Sequence, residues 1–155
     1  DNTGDFAPNR NETEKKLLAA AIATRMPVFA VCRGLHVVNQ HFGGVVIADI
    51  SGSAVRHVAA NHSIQLEEPF AQIVEAHEIT TNSFHNQAVP LDGVARDLRV
   101  MAASRRDALA EGVFHPDLPI LAIQWHPERP NPAAAIDALL FDRLLTQGPF
   151  WRDLH

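Results

Sequence analysis

The chain has 155 residues, of which 46% are hydrophobic, so its length and composition predict one globular domain with a sizeable core. Its formal net charge is −5, and the lack of a basic block or a long apolar run excludes a nucleic-acid patch and a membrane span. The single cysteine excludes an internal disulfide, which fits a cytoplasmic protein without a secretory signal.

The first forty residues predict a loop, a helix, a strand and a second helix. Asp1 to Arg10 is polar and predicts a loop, and Asn11-Glu12-Thr13-Glu14 predicts a helix start with a capping box. This helix is expected to end near residues 25–26, because Pro27 disfavours helix in the residue before it. The continuous apolar run Val28 to Val31 predicts a strand that is buried on both faces.

The middle of the chain predicts shorter strands in a mostly antiparallel segment. A surface loop is expected at Ser51 to Asn61 and a polar turn at Asn82 to Gln87. The extended segments are expected at residues 45–47, 62–66, 78–81, 98–102 and 108–114. Ile120 to Gln124 predicts a second buried strand, and a last helix is expected from residue 131 or 132 to about 147.

This order of elements predicts an α/β fold. The central sheet is expected to be mostly parallel, with flanking helices and one antiparallel segment. Residues 1–155 form one predicted domain.

The turn after the first buried strand holds the best candidate nucleophile. Cys32 lies between that strand and a segment with helical spacing, and Gly34 follows two residues later. A tight strand-to-helix turn can expose a nucleophile and leave the next backbone N–H for an oxyanion. The helix dipole and Arg33 would favour the thiolate. The alternative is that Cys32 is a small buried apolar residue.

His126 is the candidate base for this thiol. It follows the buried strand Ile120 to Gln124, whose carboxyl end we expect at the same sheet edge as Cys32. Pro127 keeps His126 extended, so Glu128 points the same way and can orient the imidazole. A surface ion pair between His126 and Glu128 is the alternative.

Three blocks resemble class I glutamine amidotransferases, and more narrowly their γ-glutamyl hydrolase branch, which includes γ-glutamyl-γ-aminobutyrate hydrolase. These blocks are Val31-Cys32-Arg33-Gly34-Leu35, Asn82-Ser83-Phe84-His85-Asn86-Gln87 and Gln124-Trp125-His126-Pro127-Glu128. Further segments are most similar to γ-glutamyl-CDP-amidate hydrolases, namely Asn11-Glu12-Thr13-Glu14, Cys32-Arg33-Gly34, His85-Asn86 and Arg129. The resemblance implies a three-layer, flavodoxin-like fold.

The resemblance also implies a Cys32–His126–Glu128 triad that cleaves a γ-glutamyl amide through a thioester, without a cofactor. The backbone N–H of Arg33 would supply one oxyanion donor. Three further residues match the segment that holds the glutamyl group in the family, namely Ser83, Phe84 and His85. Ordinary hydrogen bonding within a turn is the alternative for Ser83 and His85.

Two features depart from the family pattern. His36 stands where the family usually has a substrate-contacting glutamine, and imidazole cannot reproduce both hydrogen bonds of an amide. The chain also begins just before the nucleophile strand, whereas the family has earlier strands and a glycine-rich loop. The chain is therefore expected to be a partial domain with an apolar sheet edge, completed by a preceding portion or a second chain.

The other histidines do not predict a metal site. His57 and His62 are five residues apart in a predicted loop, and His36 and His41 have the same separation on one helix. This separation is a poor match to one helix face, and no cysteine cluster accompanies these histidines. No structural zinc site is expected.

The leading hypothesis is a cysteine hydrolase that acts on a small γ-glutamyl compound. One alternative is a glutaminase subunit that delivers ammonia to a synthase partner. Another is a binding or assembly module that keeps the triad without turnover. Nucleic-acid and membrane partners are not expected, and a homo-oligomer is left open.

Overall fold

The structure is a computed structural model that describes residues 8–154. The helices are α1 (Pro8–Ala23), α2 (Arg33–His41), α3 (Phe70–Val74) and α4 (Ala134–Gln147). The strands are β1 (Val28–Val31), β2 (Val58–Leu66), β3 (Glu78–Phe84), β4 (Val89–Pro90), β5 (Arg99–Ser104), β6 (Leu109–Phe114) and β7 (Ile120–Ile123). None of the helices in this part of the chain is long and apolar enough to cross a membrane.

The strands form one mixed sheet in the order β1-β7-β6-β5-β2-β3, and β4 pairs with β6. The predicted α/β class, with flanking helices and an antiparallel segment, is confirmed. The parallel part is smaller than expected, because within residues 8–154 only β1 and β7 pair in parallel. Strands β5, β6 and β7 follow one another through short connections, which join neighbouring strands in antiparallel order.

Side chains of β1 and β7 alternate between two helical layers. Val28 and Ala30 pack with Ile120 and Ala122 against residues of α1 and α2. The alternate residues of both strands, Phe29, Val31, Leu121 and Ile123, pack in the cluster that contains Leu140 and Leu144 of α4. The strand pair is thus the middle of a three-layer arrangement, and its alternation follows from the period of two in an extended chain.

Strand β1 has an open edge. Within the described residues it pairs only with β7, and its four residues are half-buried. Apolar grooves of about 520 and 580 Å³ lie on the two sides of this strand. They include the exposed side chains of Leu17, Met26 and Phe141. This arrangement matches the expected apolar edge.

Several element boundaries differ from the sequence prediction. The first helix begins at Pro8, not at Asn11, because proline suits the first helical turn. Glu14 forms ion pairs with Arg10 and Arg33. The part of the predicted loop over residues 1–7 lies outside the described residues.

In the middle of the chain, β2 begins at Val58, inside the predicted surface loop. His57, just before this strand, is buried. The predicted polar turn starts too early, because its first three residues, Asn82 to Phe84, belong to β3. Helix α3 and strand β4 were not predicted. Both are short, and a short element carries little periodicity in its sequence.

A buried carboxylate fixes α4 to the end of β7. The Trp125 indole N–H donates to Asp137 Oδ1 at 2.7 Å, and the Asn131 amide donates to Oδ2 at 2.5 Å. Burial raises the pKa of Asp137, while these two hydrogen bonds act in the opposite direction. The bonds hold the segment that follows His126 against the core.

We expect Asp137→Ala to lower the free energy of unfolding by about 1–3 kcal/mol, because it leaves the fully buried Trp125 N–H without an acceptor. Asp142→Ala, at an exposed position on the same helix, should change it by less than about 0.5 kcal/mol. Urea denaturation monitored by tryptophan fluorescence measures both. Equal effects of the two substitutions would contradict this assignment.

Candidate active site

The candidate nucleophile lies on a strained turn between β1 and α2. Cys32 has φ 51° and ψ −107°, a positive-φ conformation that costs a residue with a side chain about 1–3 kcal/mol. Its N–H donates to the carbonyl of Ile123 at 2.8 Å, and its own carbonyl accepts from Leu35 N–H at 3.0 Å. These bonds place the thiol at the N-terminus of a nine-residue helix, whose dipole favours the thiolate.

His126 and Glu128 form a close pair. Their Nδ1 and Oε1 atoms are 2.5 Å apart. Burial acts to raise the pKa of Glu128, but the hydrogen bond with His126 and the charges of His126 and Arg129 outweigh it, so the pKa lies below its usual value. The ionised carboxylate accepts a hydrogen bond from Nδ1–H, which leaves Nε2 of His126 as the nitrogen that can act as a base.

Cys32 and His126 line the same cleft. Its volume is about 230 Å³, and polar and apolar atoms line it about equally. Its lining residues are Cys32, Arg33, His36, Phe84, His85, Asn86, Gln87, His126 and Arg129. Of the residues that the sequence assigned to catalysis or substrate contact, only Glu128 and Ser83 are outside this lining, and Glu128 contacts the cleft through His126.

Asn82 holds the backbone of His126. Its Oδ1 accepts from the N–H of His126 at 2.9 Å, and its Nδ2 donates to the carbonyls of His126 at 2.8 Å and Pro130 at 3.1 Å. Sequence reasoning placed Asn82 in a polar turn and missed this role. The only sequence signal was the place of Asn82 at the start of a motif block. Its partner, His126, lies 44 residues away in the sequence.

Phe84 packs between the guanidinium of Arg129 and the ring of His126 at the cleft. The guanidinium of Arg129 lies 4.3 Å from the centre of the Phe84 ring, within cation–π range. The ring of His126 meets Phe84 edge to face, with 5.9 Å between centroids. Phe84 therefore restricts the orientation of His126 as well as forming part of the cleft wall.

The side chain of Arg33 points toward α1. It forms an ion pair with Glu14 at 3.1 Å and a hydrogen bond with Asn11. The guanidinium thus ties α2 to α1, and the backbone N–H of Arg33 remains the group that follows the nucleophile in the chain. A role for this N–H as an oxyanion donor stays a prediction.

His36 is linked to the nucleophile through Gln124. His36 Nε2 and Gln124 Oε1 are 2.8 Å apart, and the Gln124 amide donates to Cys32 Sγ at 3.6 Å. Because the amide oxygen is an acceptor, His36 carries a proton on Nε2. Gln124 opens the motif Gln124-Trp125-His126-Pro127-Glu128, but the sequence prediction gave it no role.

Ser83 and His85 occupy different surroundings. The Ser83 hydroxyl is buried and donates to the carbonyl of His57 at 2.9 Å, so this side chain faces away from the cleft. His85 lines the cleft, and its Nδ1 donates to the carbonyl of Gln87 at 2.8 Å. Substrate contacts of both residues stay predictions.

A buried polar cluster lies behind His85. His57, His62 and Glu111 have ligand-type atoms within 4.8 Å of one another, and all three residues are buried. Burial and the nearby Asp107 raise the pKa of Glu111 to about 8. Burial, with the neighbouring His57, lowers the pKa of His62 to about 4, and burial lowers that of His85 to about 3. The sequence disfavoured His57 and His62 as a metal pair and did not single out Glu111.

Comparison with known proteins places this chain in a family. Residues 1–128 match peptidase C26. The chain belongs to this family. Protein YvdE of Lactococcus lactis is 31% identical over 134 residues, which cover 81% of this chain and 56% of YvdE. The γ-glutamyl-γ-aminobutyrate hydrolase PuuD of Escherichia coli K12 is 30% identical over 159 residues, which cover 92% of this chain and 61% of PuuD.

A solved structure has the same fold. The crystal structure of a glutamine amidotransferase from Thermotoga maritima matches with a TM-score of 0.66 and 14% identity, over 97% of this chain and 68% of that one. The resemblance to the glutamine amidotransferase-like superfamily is confirmed. This peptidase C26 chain spans 56% and 61% of the length of the two curated relatives described above.

We expect Asn82→Ala to slow alkylation of Cys32 by iodoacetamide about 10–100-fold, because His126 loses the bonds that fix its backbone and a displaced imidazole activates the thiol poorly. Asn61→Ala is the matched control, since the exposed Asn61 lies opposite Asn82 in the β2–β3 ladder. Mass spectrometry of the alkylated chain measures the rates. Equal rates in the two variants would rule out the positioning role.

Proposed function

We propose that this peptidase C26 chain is the catalytic part of a cysteine hydrolase that cleaves the γ-glutamyl amide bond of a small compound. One observation carries the proposal. Cys32, on a strained turn, and His126, held by Glu128 and Asn82, line one cleft. The relative PuuD, whose name denotes a hydrolase of γ-glutamyl-γ-aminobutyrate, supports the choice of bond.

The proposed reaction proceeds in two steps. His126 Nε2 accepts the proton of the Cys32 thiol, and Sγ attacks the γ-carbonyl carbon of the glutamyl group. The carbonyl oxygen gains charge, which the backbone N–H of Arg33 stabilises. The C–N bond then breaks, and His126 gives its proton to the leaving amine, which leaves a γ-glutamyl thioester. Water attacks this thioester while His126 accepts its proton, the C–S bond breaks to release glutamate, and the proton on His126 returns to the Cys32 sulfur.

Other cleft residues are proposed to select the substrate. Phe84, His85, His36 and Arg129 line the same cleft as Cys32. Arg129 offers a positive charge for the α-carboxylate of a glutamyl group, and its stacking on Phe84 restricts where that charge lies. His36 is committed to Gln124 through Nε2, which limits the hydrogen bonds it can offer to a substrate.

Glutamate release from three compounds tests the proposal: glutamine, γ-glutamyl-γ-aminobutyrate and a γ-glutamyl phosphoramidate nucleotide. We expect release from at least one of them, and no release after Cys32→Ala, which removes the nucleophile. The preferred compound identifies the amine half of the substrate. Release that persists in Cys32→Ala, or its absence from a folded chain with all three compounds, would contradict hydrolysis by this chain alone.

Glu128→Gln should lower kcat by about 10²–10⁴-fold with a smaller change in KM, because an amide can stabilise the wrong tautomer of His126 and cannot stabilise its positive charge. Glu78→Gln, at an exposed position on β3, is the control and should leave kcat unchanged. Steady-state glutamate release on the preferred compound separates kcat from KM. Equal kcat in both variants would mean that the His126–Glu128 contact is only a surface pair.

A glutaminase subunit is the second candidate function. The open edge of β1 and its flanking apolar grooves favour it, since they offer a surface for another chain or for a preceding portion that completes the sheet. In that case glutamine hydrolysis would be slow for the chain alone and faster with the partner.

A non-catalytic module would not react at Cys32 with a glutamine-like electrophile, and a γ-glutamyl compound would not protect it.

A further inference from the structure

The buried cluster of His57, His62 and Glu111 lies where the sheet opens. Strand β2 pairs with β5 only at Gln65 and Leu66, although it pairs with β3 along most of its length. Toward its first residues β2 has no ladder with β5, and side chains of β2 and β6 meet across the gap. The cluster therefore joins two strands that do not pair directly.

Glu111 is surrounded by imidazole nitrogens at distances too long for hydrogen bonds. Its Oε1 lies 3.7 Å from His57 Nδ1, 3.7 Å from His62 Nε2 and 4.0 Å from His85 Nε2. Neither carboxylate oxygen has a hydrogen-bond partner among the described residues, and the side chain is only 1% exposed. A buried carboxylate in this state is costly unless something of opposite charge or a proton compensates it.

The hydrogen bonds of two histidines leave lone pairs directed into the cluster. His57 Nε2 is 2.7 Å from Asp107 Oδ2, an acceptor, so the ring proton is on Nε2 and the lone pair is on Nδ1. Ser83 Oγ lies 3.3 Å from this Nδ1, but its proton is donated to the carbonyl of His57, so the lone pair of Nδ1 remains available to an ion. His85 donates from Nδ1 to a backbone carbonyl, which places its lone pair on Nε2. The nitrogens of the buried His62 have no hydrogen-bond partner within residues 10–154.

These separations suit ligands around a single ion. Two ligand atoms that are each about 2.1 Å from a tetrahedral zinc ion lie about 3.4 Å apart. The two gaps of 3.7 Å between Glu111 and the histidines need only a modest closure to reach this value, and the ligand atoms of all three residues lie within 4.8 Å of one another, so an ion would also draw the two histidines closer. We propose that His57 Nδ1, His62 Nε2 and a carboxylate oxygen of Glu111 bind a divalent transition-metal ion, with Zn²⁺ as the best fit. A fourth position is left on the side of His85.

The donor set determines the class of metal. Two neutral imidazoles and one carboxylate favour zinc and its neighbours, whereas Ca²⁺ and Mg²⁺ prefer all-oxygen sets. Asp107 supplies the further feature typical of such sites, because a carboxylate bound to the remote nitrogen orients a ligating histidine. The side chain of Asp107 is itself 3% exposed, so this contact is shielded from water.

The ion would tie β2 to β6 behind the active-site cleft. His85 connects the two regions, since it lines the cleft and its Nε2 faces Glu111. Glu111 is also linked to the site through its backbone carbonyl, which accepts from Gln124 N–H at 2.8 Å. This inference does not depend on the proposed hydrolysis, and its test measures binding.

Zinc binding is measured with the full chain carrying Cys32→Ala, so that the active-site thiol cannot hold the metal. After treatment with dipicolinate and removal of the chelator, titration with ZnCl₂ should give one ion per chain. Zinc X-ray absorption should show two imidazoles and only nitrogen or oxygen ligands. His62→Gln and Glu111→Gln should each lose this stoichiometric site, and Asp107→Asn should weaken it about 10–100-fold.

His77→Gln is the matched control, because the exposed His77 lies just before β3 and outside the cluster. It should bind zinc as the parent does. The proposal is overturned if the folded parent binds no stoichiometric zinc, or if His62→Gln and Glu111→Gln still bind it. Circular dichroism checks folding. If either variant fails to fold, the absorption spectrum of the parent decides, and fewer than two imidazole ligands would refute the site.

Discussion

The parallel pairing of β1 and β7 is the constraint on which the candidate active site depends. Val31 lies opposite Ile123, and the next N–H in β1's direction, that of Cys32, donates to the carbonyl of Ile123. Because the strands run the same way, both chains leave the sheet at one edge. The thiol and His126, which are distant in the sequence, therefore reach the same cleft without any long loop.

Around this strand pair, buried polar side chains form hydrogen bonds that join separate elements of the fold. Asn82 ties β3 to the segment after β7, and Asp137 ties α4 to the same segment. Each of these side chains joins elements that do not pair with each other through backbone hydrogen bonds. Hydrogen bonds and charges with fixed geometry here orient parts of the chain that apolar packing alone would leave free to shift.

The residues of the cleft could be predicted where local sequence determines local geometry. Cys32 follows an apolar run and precedes a helix, and Glu128 stands two residues after His126, so short patterns identified them. The contacts of Asn82, Gln124 and Glu111 could not be found in this way. Their partners are 44, 88 and 54 residues away, and only the sheet order brings them together. Strand β2 stops pairing with β5 at a point that depends on tertiary packing, which no short sequence pattern predicts.

The conformation of Cys32 has a consequence for how such a chain can change over evolutionary time. Glycine is the residue that adopts a positive φ at little cost, so replacing Cys32 with glycine would remove the thiol and relieve backbone strain in one step. In the proposed hydrolase, selection for stability and selection for a nucleophile are therefore opposed at this position. A lineage released from the need for the thiol would gain stability by losing it, whereas alanine or serine would keep the strain.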